Sequence, residues 1–174
     1  GYDWVREQSS GGPYAPKKHI YWQYNADEFS DQSVWAPGNA INVNILRFAD
    51  VLLMAAEAEA QAGSLTMALS YVNRVRGRIA DHPDSWLKDY IDPDNPMQGF
   101  SEDYAANYHV QRYPDEYFTS KEQAMKAIMF ERRVELGMEG HRFFDLVRWG
   151  IAQEVLNDFV QYEGQITTDV RGAE

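Results

Sequence analysis

The chain has 174 residues, 16 basic and 27 acidic side chains for a net charge of −11, and no cysteine. That length suits one globular unit with its own core, and the acidic field speaks against phosphate backbones or anionic lipid as partners. Without thiols there are no disulfides, no thiolate catalysis and no Cys-ligated zinc; no apolar run approaches a membrane span, and no basic-then-apolar leader opens the chain.

Residues 1–44 read as an irregular lead-in, with turn-rich stretches at 9–13 and 35–39 and one weakly alternating segment, 19–24, that could form a short strand. Residues 45–62 are expected to be a helix apolar on most sides, with Arg47, Asp50, Glu57 and Gln61 on one polar stripe. Gly63 supplies a stop and Ser64 an N-cap for the next helix, which carries Leu65, Ala68, Leu69, Val72, Val75 and Ile79 at helical spacing. Two such helices joined by a two-residue break make an antiparallel hairpin of tetratricopeptide size over 45–80. Gly77 is expected to weaken the second helix by roughly 1 kcal/mol relative to Ala.

Residues 81–118 lose the helical period and fill with prolines and aromatics, the pattern of a long ordered insertion rather than a linker. Ser120 and Gln123 form a capping box for a third helix to about Met138, and Gly140 ends it. A short helix at 141–149 and another at 151–162 complete a helical block over 119–162, and residues 163–174 carry no periodic signal. The expected fold is therefore all-α, a tetratricopeptide-like hairpin plus further packed helices with long aromatic-rich loops, forming a single domain over 1–174. The third helix should pack on the hairpin, with Val51, Leu52, Val72, Val75 and Phe130 sharing burial.

On the third helix, Ala124, Ala127, Ile128, Phe130, Val134 and Met138 define an apolar arc with Glu131 and Glu135 in its middle. Glycosidase carboxylates face each other across a cleft. These two sit one turn apart on one face, so structural ion pairs with Arg142, Arg148 or Arg76 are expected instead. In the next helix Asp145 lies three residues from both Arg142 and Arg148, which makes it a bridging anion rather than a catalytic one. No metal site is expected, since the four histidines are scattered, and 92–103 departs from a calcium loop at Pro96, Met97 and Asp103 and reads as a turn. If the chain touches a ligand, Trp86, Tyr90, Tyr104 and Tyr108 are the candidate stacking rings, with Asp84, Asp92, Asn95 and Gln98 as polar neighbours. The competing expectation is that these rings only order the loop, and exposure of their faces separates the two.

Two blocks together resemble the SusD/RagB family. The first runs through Ile45, Leu46, Arg47, Phe48, Asp50, Met54, Glu57 and Ala58, then Asn73, Arg74, Val75, Arg76 and Arg78. The second runs through Ile128, Glu131, Arg132, Glu135, Leu136, Glu139, Gly140, Arg142, Asp145, Leu146, Arg148, Trp149 and Gly150. The resemblance implies the C-terminal helical part of a lipoprotein anchored on the outer-membrane surface. Such a protein binds an oligosaccharide or peptide and serves a TonB-dependent, SusC-like transporter, with no enzymatic activity and no cofactor. The family's anchor cysteine and its Pro-containing C-terminal stretch are not found in this sequence. The alternative is a helical-repeat scaffold that binds proteins without a small-molecule ligand, with an enzyme third.

Overall fold

The computed structural model describes residues 18–19, 21, 26–31, 33, 38–105 and 108–171. The turn expected at 9–13, most of the one at 35–39 and most of the strand expected at 19–24 lie outside them. The described chain is mostly helical: α1 (Ala26–Phe29), β1 (Ser30–Asp31), β2 (Gly38–Asn39), α2 (Phe48–Ala62), α3 (Leu65–Ala80), β3 (Lys88–Tyr90), β4 (Phe100–Tyr104), α4 (Lys121–Glu135), α5 (His141–Arg148) and α6 (Ala152–Arg171). Strands β1 and β2 pair antiparallel, as do β3 and β4. Residues 1–125 and 126–174 form two compact units, described in turn.

In the first unit, α2 and α3 pack along their lengths, joined by Gly63 and Ser64. Ser64 Oγ accepts from Met67 N at 3.4 Å, the expected cap, and Glu59 Oε2 accepts from Ser64 N at 2.8 Å, which closes the corner from the other side. The shared core is Leu52, Leu53, Ala56 and Ala60 against Ala68, Leu69, Val72 and Val75. Burial of each large aliphatic chain here is worth about 1.5–3 kcal/mol.

The polarity of α2 departs from expectation. Asp50, placed on the polar stripe, is buried, whereas Val51 is 47% exposed and Phe48 and Met54 also face outward. A helix apolar on most sides holds more apolar surface than one partner helix covers, so the packing interface selects a single stripe. Helix α2 also begins three residues later than expected, leaving Ile45 and Leu46 exposed.

Segment 111–113 is strapped along α3. Asn73 behaves as a strand residue would: its Nδ2 donates to Tyr113 O at 2.8 Å and its Oδ1 accepts from Tyr113 N at 2.9 Å. Arg76 donates to Gln111 O and lies over the Tyr113 ring at 4.5 Å. Arg112 makes a two-pronged pair with Asp81 and donates to Asn73 O at 3.1 Å. Gly77 finds its reason here, because a Cβ at that position would run into the Arg112 guanidinium. Arg76, expected to serve Glu131 or Glu135, thus has Gln111 and Tyr113 as partners.

Asn73→Ala is expected to lower stability by about 1–3 kcal/mol, because both polar groups of the part-buried Tyr113 backbone lose their partner. Chemical denaturation reads the loss, and faster amide exchange at Tyr113 localises it.

Helix α4 opens as expected at Ser120, whose Oγ accepts from Gln123 N at 3.2 Å. The reciprocal half of the box differs, with Gln123 Oε1 accepting from Thr119 rather than from Ser120. The helix ends at Glu135 and not near Met138, and Met138 itself takes a positive φ of 64°. Its buried stripe is Ala124, Ala127, Ile128, Glu131 and Arg132, while Phe130 is 54% exposed and Val134 and Met138 also point outward. The expected arc was therefore centred about one residue off. Glu131 is buried as expected, and Glu135 is half-buried.

In the second unit, α5 is short and amphipathic. It buries Asp145 and Leu146 and leaves Phe143, Phe144 and Val147 outside. Asp145 Oδ2 accepts from Arg132 Nε at 2.8 Å and Oδ1 from Arg148 Nε at 2.9 Å. Asp145 does bridge two cations, but the second is Arg132, from the preceding helix, and not Arg142. Burial and the neighbouring Arg133 charge push the Arg142 guanidinium pKa down, with Asp145 only partly opposing. Gly150, with φ of 73°, makes the turn into α6, which continues nine residues past the expected end at Tyr162. No proline follows to stop it, and a single Gly164 costs a helix about 1 kcal/mol without ending it.

Candidate functional site

The insertion after α3 folds onto an antiparallel hairpin. A single 3₁₀ turn at Pro83–Ser85 leads out of α3, with Trp86 N donating to Pro83 O at 2.9 Å. Lys88 then pairs with Tyr104 and Tyr90 with Phe100, with an irregularity in register between them. Ala105 N donates to Leu87 O at 2.9 Å and extends the pairing by one bond. At the tip, Asp92 Oδ1 accepts from Asp94 N at 2.9 Å and Oδ2 from Gln98 Nε2 at 3.2 Å, and Gly99 takes a φ of +88°. The segment that opens like a calcium loop is thus a turn whose leading carboxylate caps its own backbone. Among the described residues no cluster of three metal-ligating side chains occurs.

The hairpin places three of the four candidate rings together. Trp86 lies 5.4 Å from Tyr104, 6.0 Å from Tyr108 and 5.9 Å from His109, all at steep angles. Its indole Nε1 donates to Ile79 O at 2.8 Å, fastening the polar edge to the last turn of α3. The fourth ring, Tyr90, stands apart and stacks on Phe100 at 4.9 Å. Between the aromatic groups, Lys88 Nζ meets Glu102 Oε2 at 2.6 Å. None of the four candidate rings is buried: Tyr104 is 46% exposed, and Trp86, Tyr90 and Tyr108 are half-buried. By contrast Tyr113, Tyr117 and Phe118 stack among themselves, with Phe118 buried, and serve the loop's own core.

Of the polar neighbours read from sequence, Asp92 and Gln98 are committed to the turn. Phe100, Glu102 and His109 were missed. His109 adjoins Tyr108, but Phe100 and Glu102 enter only through strand pairing, which a segment broken by two prolines does not advertise.

Lys88 and Glu102 hold each other charged: the pairing raises the Lys88 pKa and lowers that of Glu102. Glu102's contribution is present above the ordinary carboxylate range and lost as pH falls through its lowered value. The contribution of Lys88 is complete below the ordinary lysine range and lost as pH rises through its raised value. The bridge therefore spans neutral pH. In an NMR titration the Glu102 carboxyl should show a midpoint below that of free glutamate, and Lys88→Met should return it to the ordinary range.

A separate cavity of about 380 Å³ opens where α2 begins and α3 ends, lined by Arg47, Phe48, Leu52, Arg74, Val75 and Arg78 among others. Arg74 lies over the Phe48 ring at 5.6 Å, and Arg47 and Arg78 have partners of their own. Its cations are engaged by the protein, so the hairpin is the better candidate site.

A model of the SusD family matches residues 2–173. The chain belongs to the SusD family. Among curated relatives, a protein named SusD-like protein P25 from Formosa agariphila is 34% identical over 114 residues. That alignment covers 66% of this chain but 16% of the relative, so the chain corresponds to a small part of that protein's length. No solved structure matches. The described chain, in keeping with the family resemblance read from its two blocks, is a helical protein of the SusD family; none of its described helices is long and apolar enough to cross a membrane.

Proposed function

We propose that this SusD family chain is the helical part of a cell-surface nutrient-binding protein that takes up an oligosaccharide, or in some settings a peptide, and passes it to a TonB-dependent, SusC-like outer-membrane transporter. A lipid anchor would hold the protein at the outer membrane, and its work would be binding, not catalysis. The two units then serve as parts of one domain, since a single family match runs through both.

The observation that carries the ligand assignment is the partly exposed aromatic group around Trp86. A pyranose presents an apolar C–H face that gains from stacking on an aromatic ring, while its hydroxyls need hydrogen-bond partners at the edge. Because the indole nitrogen is fastened to Ile79 O, the ring is held in place before any ligand arrives. On a glycan array the chain should bind a subset of oligosaccharides, and Trp86→Ala should weaken that binding by about tenfold. Trp86→Phe keeps a stacking face and loses the Ile79 bond, so it should bind better than Trp86→Ala. Binding unchanged by both substitutions would remove the ligand site from this hairpin.

A second reading, a helical scaffold with no small-molecule ligand, draws on the exposed apolar side chains of α5 and α6, among them Phe143, Phe144, Phe159 and Val160. Silence across the array together with tight binding to the purified transporter would favour it.

A further inference from the structure

The charge around the hairpin narrows what it can take. Between residues 84 and 104 stand Asp84, Asp89, Asp92, Asp94, Glu102 and Asp103, against the single cation Lys88. All of these carboxylates are exposed except Asp92, which is half-buried and engaged within the turn. The one cation is held by Glu102 at 2.6 Å and also feels Asp84. Arg112, further along the insertion, is committed to Asp81 and Asn73. Asp84 lies two residues from Trp86, and Glu102 and Asp103 immediately precede Tyr104. Charges this near to the rings along the chain act on a stacked ligand over a range comparable with the Debye length, roughly 8 Å.

We infer that the Trp86 hairpin selects neutral or amine-bearing saccharides and turns away sulfated and uronate ones, an inference that rests on reading this hairpin as a saccharide site. A sulfate or carboxylate brought against Trp86 and Tyr104 enters a segment rich in like charge, with no uncommitted guanidinium or ammonium among the described residues of the hairpin to receive it. Repulsion of this kind discriminates even where the attractive contacts are the same. An amino sugar gains twice, because its ammonium is drawn to the surrounding carboxylates and is also favoured over an aromatic face. The Lys88–Glu102 bridge keeps the rim in this state across neutral pH, since neither member gives up its charge there.

The test is binding of the chain to a glycan array with neutral, amine-bearing, uronate and sulfated sets, followed by titration of matched oligosaccharides at low and high salt. Neutral ligands should bind, with amine-bearing counterparts tighter and acidic counterparts at least about tenfold weaker at low salt, and both differences should shrink as salt is raised. In a variant combining Asp84→Asn, Asp89→Asn and Asp103→Asn the gap between neutral and acidic ligands should narrow. If an acidic oligosaccharide binds as tightly as its neutral counterpart at low salt, and that binding is lost in Trp86→Ala, the charge selectivity is overturned while the saccharide site stands. If no saccharide of any set binds, the saccharide reading fails and the selectivity falls with it.

Discussion

Replacing Asp145 with alanine is expected to lower stability by about 3–5 kcal/mol, the typical penalty for breaking a buried ion pair by removing one member. Arg132 donates to Asp145 at 2.8 Å, and their side chains are only 4% and 6% exposed. With the carboxylate gone, Arg132 keeps its charge, because a guanidinium does not deprotonate at working pH, and it loses a buried anionic partner at a place with little access to water. Arg148, the other donor, is 40% exposed on its side chain and lies over the Trp149 ring at 4.7 Å, so it can turn outward. Arg148→Ala should accordingly cost about 1 kcal/mol or less. The double change Asp145→Leu with Arg132→Met should cost less than Asp145→Ala alone, since it removes both charges of the buried pair and refills their volume with apolar side chains. Urea denaturation of the four proteins gives the ranking. A loss below about 1 kcal/mol for Asp145→Ala would mean that Arg132 finds solvent or another partner with little rearrangement.

The second large effect is expected at Leu53. Its side chain is fully buried between α2 and α3, and Leu53→Ala should cost about 2–5 kcal/mol from lost transfer energy plus the cavity left behind. Two residues earlier on the same helix, Val51 faces outward, and Val51→Ala should fall within about 0.5 kcal/mol of the parent. The contrast is the useful measurement, because the two residues are of similar apolar character and differ only in which side of α2 they occupy. Equal losses at both positions would show that the outer face of α2 is covered as well.

The parts legible in the amino-acid sequence were those whose causes lie within a few residues. Ser64 and Ser120 marked helix starts because a hydroxyl that accepts from an amide three residues on is a local geometry. The break at Gly63 and Ser64 implied a helical hairpin because a two-residue link leaves the chain little choice but to turn back. The burial of Glu131 was visible in the spacing of Ala124, Ala127 and Ile128 around it. The two-block resemblance worked at the same level, since it rests on residue types at fixed separations.

Tertiary structure decided everything that depends on a partner distant in sequence. Periodicity could not choose which stripe of an all-round apolar α2 would be buried, and it chose wrongly at Asp50 and Val51. Arg142 and Arg148 were equally spaced from Asp145, yet the carboxylate bonds Arg148 alone of the two and takes as its second donor Arg132, thirteen residues back, because a turn between the helices brings it there. Gly77 read as a weakness until Arg112 was seen lying across it. The Trp86 group gathers residues up to 23 apart through the pairing of β3 with β4. Helix caps and turns are enforced by the chain's own covalent reach, whereas partner choice is a competition among all surfaces the folded chain brings within contact, and no local pattern contains the outcome of that competition.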